Sequence, residues 1–223
     1  MKKLTVVIAI KNRSEKSATN CVDSLLGQTH SCDITIVDFG SLKENLIWER
    51  KIFSKINFIE AKTNLNPYSS SKALNIGIKR VKTPFTLITD IDLIFSKNFI
   101  EEVMKVLDKK TLVLSQRINL DVNGDEVGLN PHAALGTCIG ISTSWLKKVR
   151  GFDEKYTCWG REDYDLVERA KQSGFKSIWI TDRVKIKHQW HPTASRETLK
   201  ENIEYYNIPN KPLIRNPKKW GEL

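Results

Sequence analysis

A chain of 223 residues with 40% hydrophobic content can bury one substantial core and falls where a single α/β domain is common. Its 28% charged content, with no stretch depleted in Leu, Ile, Val and Phe, excludes an extended disordered region. The 36 Lys and Arg against 26 Asp and Glu leave a net charge of +10, which favours polyanions, anionic headgroups or phosphorylated small molecules; the excess is scattered as pairs such as Lys2-Lys3 and Lys109-Lys110 with no nucleic-acid-binding module, so no nucleic-acid partner is expected.

In chain order, the amino terminus is basic and then apolar, but the run Leu4–Ile10 is short, β-branched and followed at once by Lys11-Asn12-Arg13. It reads as a first strand and not as a signal peptide. Residues 14–28 predict a helix with Ala18, Cys21, Val22, Leu25 and Leu26 on one face, and residues 33–38 a second strand ending on Asp38, with Gly40-Ser41 as its exit turn. A helix over 46–56 and a short strand over 57–60 follow, then a helix over 69–80 whose leading serines can cap exposed amides. Pro84 breaks the chain, and Phe85–Thr89 is a continuous apolar strand suited to a sheet centre that runs into Asp90-Ile91-Asp92. Residues 97–107 read as helix, 112–116 as extended and 121–125 as a turn carrying Asn123-Gly124. That turn is no calcium loop, because His132 stands where the bidentate Glu is needed. Residues 137–142 predict a strand, 163–173 a helix and 177–181 an extended run. Pro192, Pro209, Pro212 and Pro217 then mark an irregular segment with one helix near 195–205.

Strands alternating with helices through the first half imply βαβ units, hence an α/β fold with a mostly parallel sheet covered on both faces. No run approaches the ~20 apolar residues that span a bilayer. Cys21, Cys32, Cys138 and Cys158 form no Cys-x-x-Cys pair, which argues against a structural zinc site and a disulfide scaffold. The reading is a cytoplasmic protein with reduced thiols that could bind peripherally at the inner face of a membrane.

Two aspartates one residue apart after a buried strand lose hydration and need a cation or donors in return. Asp90 and Asp92 fall at the carboxyl end of a strand, where open parallel sheets bind ligands. Oxygen ligands suit Mg2+ or Mn2+, either of which would bridge nucleotide phosphates, although an Asp-x-Asp triplet alone also fits a capped loop. Asp38 ends another strand at the same edge, where it could accept hydrogen bonds from a nucleobase or ribose, or serve only as a turn former. The exit of the first strand, Ala9-Ile10-Lys11-Asn12-Arg13, brings Asn12 and Arg13 there.

Together with Ser71-Lys72-Ala73-Leu74-Asn75-Ile76-Gly77 on a helix and Leu87-Ile88-Thr89-Asp90-Ile91-Asp92, these features resemble inverting GT-A glycosyltransferases of family 2 over roughly residues 4 to 190. The resemblance implies a Rossmann-like three-layer α/β/α fold around a mostly parallel mixed sheet, and a UDP-sugar donor. It places Asp38 near the uracil, Asp90 and Asp92 at the β-phosphate and metal, Lys72 and Asn75 along the donor pocket, and Ala9, Asn12, Arg13 and Ile91 among the donor-binding positions.

The segment Gly151-Phe152-Asp153-Glu154-Lys155-Tyr156-Thr157-Cys158-Trp159-Gly160-Arg161-Glu162-Asp163-Tyr164-Asp165-Leu166 is similar to the motif shared by β4-galactosyltransferases, polypeptide N-acetylgalactosaminyltransferases and chondroitin-type polymerases. In that motif Gly-Phe-Asp precedes a Trp-Gly-x-Glu-Asp turn into a helix. An inverting transfer needs a base for the acceptor hydroxyl proton, and a carboxylate beside the leaving group can serve. Asp163 is the expected base and Glu162 the acceptor-orienting residue. Trp159 offers a flat face for a sugar ring, with Gly160 and Arg161 beside it. Against these roles, Glu162, Asp163 and Asp165 also favour a helix amino terminus, and Trp159 could fill core.

By its distance after Glu162-Asp163, His188 matches the metal-binding histidine of these relatives, with His191 as fallback; His30 and His132 are assigned to loops. Residues 131–140 are expected to bring a glycine loop to the sugar pocket, with Gly140 allowing close approach. Arg161 stands where many relatives carry a small residue and Tyr164 where some carry another acid, so the acceptor stays open.

These readings combine into one domain over 1–223: a nucleotide-sugar-binding half (1–115), an acceptor-binding and catalytic half (116–195) and a tail (196–223). The expected reaction is inverting transfer of a hexose or N-acetylhexosamine from a UDP-sugar to a glycan or lipid-linked acceptor, with Mn2+ or Mg2+ held by Asp92, Asp90 and His188. Lys211, Arg215, Lys218 and Lys219 with Trp220 could dock the tail to an anionic membrane face, or be merely solvated. A nucleotidyltransferase is the alternative enzyme, but Lys11-Asn12-Arg13-Ser14 lacks the glycines of its phosphate loop. A non-catalytic nucleotide- or glycan-binding module would have little use for both a metal site and a base.

Overall fold

The computed structural model describes residues 3–42, 55–63, 67–129, 135, 137–192 and 195–222. In chain order the first half gives β1 (Leu4–Ile10), α1 (Glu15–Leu26), β2 (Asp33–Phe39), β3 (Asn57–Ala61), α2 (Ser70–Arg80), β4 (Phe85–Thr89), β5 (Leu93–Phe95), α3 (Phe99–Val106) and β6 (Thr111–Leu114). The second half gives β7 (Ile118–Leu120), β8 (Glu126–Leu129), β9 (Cys138–Ser142), α4 (Thr143–Lys148), α5 (Glu162–Gln172), β10 (Lys176–Trp179), β11 (Ile186–His188) and α6 (Leu199–Tyr206). The helix expected over 46–56 falls mostly outside the described residues, as do His132 and half of the expected glycine loop.

Seven strands form one sheet in the order β10-β6-β9-β4-β1-β2-β3, and every pairing is parallel except those of β9 with β4 and β6. Strand alternation divides the core. Val6 and Ile8 face α1 and α3 in one apolar layer, while Val7, with Ile88 and Ile139, faces α2, α4 and α5 in the other. The three-layer α/β/α fold is therefore the one the sequence pattern implied. Helix starts follow their serines: Ser14 caps α1 through Ser17 N–H, and Ser69 caps α2 through Lys72 N–H. Leu26, expected on the buried face of α1, is exposed.

Gly140 corrects an expectation. It lies inside β9, paired with Leu87 and Val113, and an added Cβ would stand 3.2 Å from Val113 Cβ and 3.6 Å from Val103 Cγ1. It faces the packed interior and not a sugar pocket.

A second, four-stranded sheet has the order β5-β11-β7-β8. In it β5 follows the Asp90–Asp92 turn directly and pairs antiparallel with β11, setting His188 opposite Leu93, while β7 pairs parallel with β11. The predicted turn at 121–125 is the β7–β8 connection, where Asp121 Oδ1 accepts the N–H groups of Asn123 and Asp125 at 2.9 Å each.

The tail also departs from its expected role. Trp220 is buried in the core beside α4 and α5, and the Arg215 side chain is 6% exposed, paired with Asp165 at 3.1 Å and Asp153 at 3.8 Å. Lys211 donates to the carbonyls of Tyr205 and Tyr206. Of the residues expected to dock to a membrane, only Lys218 and Lys219 are exposed. Among the described residues no helix is long and apolar enough to cross a membrane. All four cysteines are free.

Candidate active site at the carboxyl ends of the strands

Because β1, β2 and β4 run parallel, their carboxyl ends meet at one edge. Beyond half-buried Ala9, Asn12 ties two exits together: its N–H donates to Ser41 Oγ and its amide oxygen accepts Leu42 N–H, both at 2.8 Å. Asp38 is buried near the end of β2, and its carboxylate accepts the N–H and hydroxyl of Ser41. Burial pushes its pKa up against those bonds. Arg13 reaches forward to Asp92 at 3.7 Å.

The Asp-x-Asp turn splits its three side chains. Ile91 is buried in the core, so its side chain offers nothing to a ligand. The Asp90 side chain is 55% exposed, with Arg117 Nη1 at 3.8 Å. Although half of its side chain reaches water, the protein packed around it, then the Asp92 charge, pushes its carboxyl up to about 7 against the pull of Arg117 and Arg13.

Asp92 is only 5% exposed and lies 2.9 Å from His191 Nε2 and 3.7 Å from His188 Nε2. Burial raises its pKa, but the His191 hydrogen bond with the charges of His188 and Arg13 outweighs burial and leaves the carboxyl below its ordinary value. The cluster has a donor set a cation would complete, since one ligand atom from each of Asp92, His188 and His191 lies within 4.8 Å of the others. Two further features fit a metal. Asp92 Oδ1 is buried without a hydrogen bond, and His191 Nδ1 lies 2.7 Å from the Pro192 carbonyl, which can only accept. Nδ1 therefore carries a proton, and in the neutral ring Nε2 presents a lone pair toward Asp92. Burial, with Arg117 nearby, lowers the His188 pKa to about 4, so that imidazole is neutral and fit to ligate. The sequence-level fallback, His191, thus joins His188 and Asp92, whereas Asp90 lies outside the cluster.

Strand pairing explains how residues so distant in sequence meet. With His188 opposite Leu93, Gln189 N–H donates to the Asp92 carbonyl at 2.8 Å, and the Gln189 side chain holds Asn20 and the Ser17 carbonyl of α1.

The Trp-Gly-Arg-Glu-Asp loop is anchored by Cys158 N–H on the Tyr68 carbonyl, beside the cap of α2. Glu162 accepts Ser70 Oγ at 3.2 Å and Gly160 N–H at 3.0 Å. Burial, then the charge of Asp163, pushes it up to about 7. Asp163 accepts Tyr164 N–H at 2.8 Å; burial raises its pKa against that bond and the charges of Arg161 and Arg117. Asp165 is neither catalytic nor a simple dipole partner, because its buried carboxylate pairs with Arg169 at 2.7 Å and with Arg215. Trp159 is 47% exposed and so is not core filling.

Asn75 is a correction. It is fully buried, its amide oxygen accepts Phe152 N–H and its NH2 donates to the Phe152 carbonyl and Glu154, so it holds the 151–154 turn and cannot line a donor pocket. Lys72 is half-buried in the first turn of α2. Sequence reasoning missed two residues. The phenol of Tyr68 feels the charges of Arg13, Asp90, Glu162 and Asp38, which places it at the centre of the edge. Arg117 follows β6, and the strand-end logic applied to Asp38 and Asp90 would have found it.

A family model described as glycosyl transferase family 2 matches residues 5–162, taking in Asp38, Asp90, Asp92 and Glu162 but stopping short of Asp163, His188 and His191. No curated protein matches the sequence. Among solved structures, S. aureus TarS 1–349 is similar with TM-score 0.69 at 19% identity, over 92% of this chain and 64% of that one. The same TarS fragment with UDP gives TM-score 0.70 at 19% identity, over 94% and 67%, and it was also solved with UDP-GlcNAc. GalNAc-T7 with UDP, GalNAc and Mn2+ gives TM-score 0.68 at 15% identity, over 86% and 44%. The chain thus spans 64–67% of TarS 1–349 and 39% of the longer TarS structure. At these identities the likeness establishes the GT-A fold.

Proposed function

The chain belongs to glycosyl transferase family 2, and from that premise we propose that it is a metal-dependent inverting transferase moving a hexose or N-acetylhexosamine from a UDP-sugar to a hydroxyl of a glycan or lipid-linked acceptor. The observation that carries the reading is an Asp92–His188–His191 ligand set at the strand ends, with the half-buried carboxylates Glu162 and Asp163 in the first turn of α5 and Asp163 within electrostatic reach of Asp90 and Arg117. The UDP and UDP-GlcNAc complexes of TarS and the Mn2+ complex of GalNAc-T7 support the donor class and the metal.

Asp92, His188 and His191 would hold a divalent cation, with two imidazoles suiting Mn2+ better than Mg2+; bound there it would offset charge on the departing nucleoside diphosphate. Asp163 takes the proton of the acceptor hydroxyl as that oxygen attacks the anomeric carbon. The bond from the anomeric carbon to the UDP oxygen breaks on the opposite face, which inverts the centre. Glu162, fixed by Ser70 and Gly160, holds the incoming hydroxyl. Arg13 and Arg117, close to the aspartates, add positive charge where the diphosphate would lie.

The test is turnover across UDP-sugars with Asp163→Asn. Loss of a base is expected to cut kcat by roughly 10²–10⁴-fold while UDP binding persists. An Asp163→Asn enzyme that turns over at the wild-type rate removes Asp163 from this role.

A further inference from the structure

From Cys158 to Arg161, three of four residues hold positive φ: Cys158 at +53°, Gly160 at +113° and Arg161 at +76°. Glycine takes this conformation freely, but a side chain there is disfavoured and persists where its position has a use. Arg161 directly precedes Glu162 and Asp163, and its guanidinium carbon lies 4.9 Å from the Tyr164 ring centre and 5.6 Å from that of Tyr206. Its carbonyl accepts Asp165 N–H, but among the described residues its guanidinium has no ion-pair or hydrogen-bond partner.

A second arginine repeats the arrangement. The Arg196 guanidinium carbon lies 5.0 Å from the ring centre of exposed Trp159, and it too has no ion pair or hydrogen bond among the described residues. Glu197 beside it is engaged by Cys158 Sγ at 3.1 Å. Thr198 Oγ1 and Asn202 Nδ2 donate to the Thr157 carbonyl at 2.6 and 2.9 Å, so Arg196 and Trp159 are borne on tied elements. Each guanidinium rests near an aromatic ring and keeps N–H donors unspent, in a planar fork that matches a carboxylate or phosphate. A neutral sugar beside Glu162 and Asp163 calls for no cation. An anionic sugar would be repelled by those carboxylates unless cations faced it.

We propose that the acceptor is an anionic glycan, whose carboxylate or phosphate is gripped by Arg161 and Arg196 while a sugar ring rests at Trp159. This rests on the transferase reading above.

Retention on a glycan array, with the chain loaded with UDP and Mn2+, tests it using three probe sets of matched size: hexuronate-containing, phosphodiester-linked and uncharged oligosaccharides. At least one anionic set is expected to be retained about tenfold above the uncharged set, and the set retained tells carboxylate from phosphate. Arg161→Gly, which suits the +76° backbone, is expected to keep Tm while losing about tenfold in that retention, and Arg196→Gln to lose similarly. Lys218→Gln/Lys219→Gln removes two exposed tail charges and is expected to lose nothing. Equal retention of uncharged glycans, no retention of either anionic set, equal loss in the lysine variant, or a sharp fall in Tm for Arg161→Gly would each overturn the proposal. Calorimetry of the same wild-type preparation separates the two readings: UDP binding without anionic-glycan retention sinks this inference alone, whereas absent UDP binding sinks the transferase reading.

Discussion

His191 donates its Nδ1 proton to the Pro192 carbonyl and turns Nε2 toward the buried Asp92 carboxylate at 2.9 Å. A proton and a divalent cation compete for that same Nε2. The hydrogen bond to Asp92 raises the His191 pKa above 6.5, so the protonated ring stabilises the fold at low pH, and that contribution fades as pH rises through the raised value. Metal binding runs the other way. Apparent Mn2+ affinity, read by calorimetry across pH, is expected to weaken on acidification starting above pH 6.5. His191→Ala should lower affinity about 10–100-fold at high pH and flatten this dependence; an affinity that ignores both would remove His191 from the cluster. Glu162, which would hold the acceptor hydroxyl beside the base, has its own pH signature. With burial and Asp163 holding Glu162 at about 7, kcat/KM is expected to fall as pH drops through that region, well above the ordinary carboxylate range. Strand ends and a motif drew attention to Asp90, Asp92, Glu162, Asp163 and His188, and of these the structure gathers Asp92 and His188 into one cluster with His191. Asn75 misled because a polar residue on a helix facing the sheet reads the same whether it holds a ligand or a turn, and its hydrogen bonds to Phe152 are a tertiary fact.

The elements most readable in the sequence were those whose own periodicity reports their burial, such as β1, β4 and α1. The strands of the second sheet were harder, since β5, β7 and β11 have three residues each and owe their pairing to neighbours. That sheet nevertheless assembles the proposed metal cluster, because the β5–β11 register carries His188 and His191 to Asp92. On the opposite face, α2 rides close to the sheet at Gly77, where an added Cβ would lie 2.6 Å from Val7 Cγ1 and 3.1 Å from Val37 Cγ2. Gly77→Ala removes a helix-weakening glycine, worth ~1 kcal/mol, but forces Val7 and Val37 aside at a cost of ~1–3 kcal/mol. Net destabilisation is expected in denaturant titration, and a clear gain in stability would mean that α2 can lift off the sheet freely.

Across the whole molecule, the tail proved to be packed against the core. Arg215 reaches Asp165 and Asp153, Asn216 donates to the Arg150 and Phe152 carbonyls, and Trp220 closes the layer around α4 and α5. Its prolines and lysines suggested an irregular, solvated segment because charge and proline content do not show which buried acids await a partner. Truncation after Asn210 strips buried Asp165 of one of its two cations and uncovers the core at Trp220. A loss of about 4–6 kcal/mol is expected, or a fall in Tm of roughly 10–20 °C; an unchanged Tm would show the tail to be dispensable. The α/β/α architecture was legible from strand and helix alternation, and the edge where Asp38, Asp90 and Asp92 lie from parallel strands ending on acids. Calorimetric titration of UDP with and without Mn2+, on the wild-type chain, Asp92→Ala and His191→Ala, decides whether the Asp92–His188–His191 cluster serves a metal-dependent donor site. UDP binding is expected to require the metal and to weaken at least about tenfold in both variants. Absence of UDP binding with Mn2+ present, or binding indifferent to the metal and to both substitutions, would contradict that role.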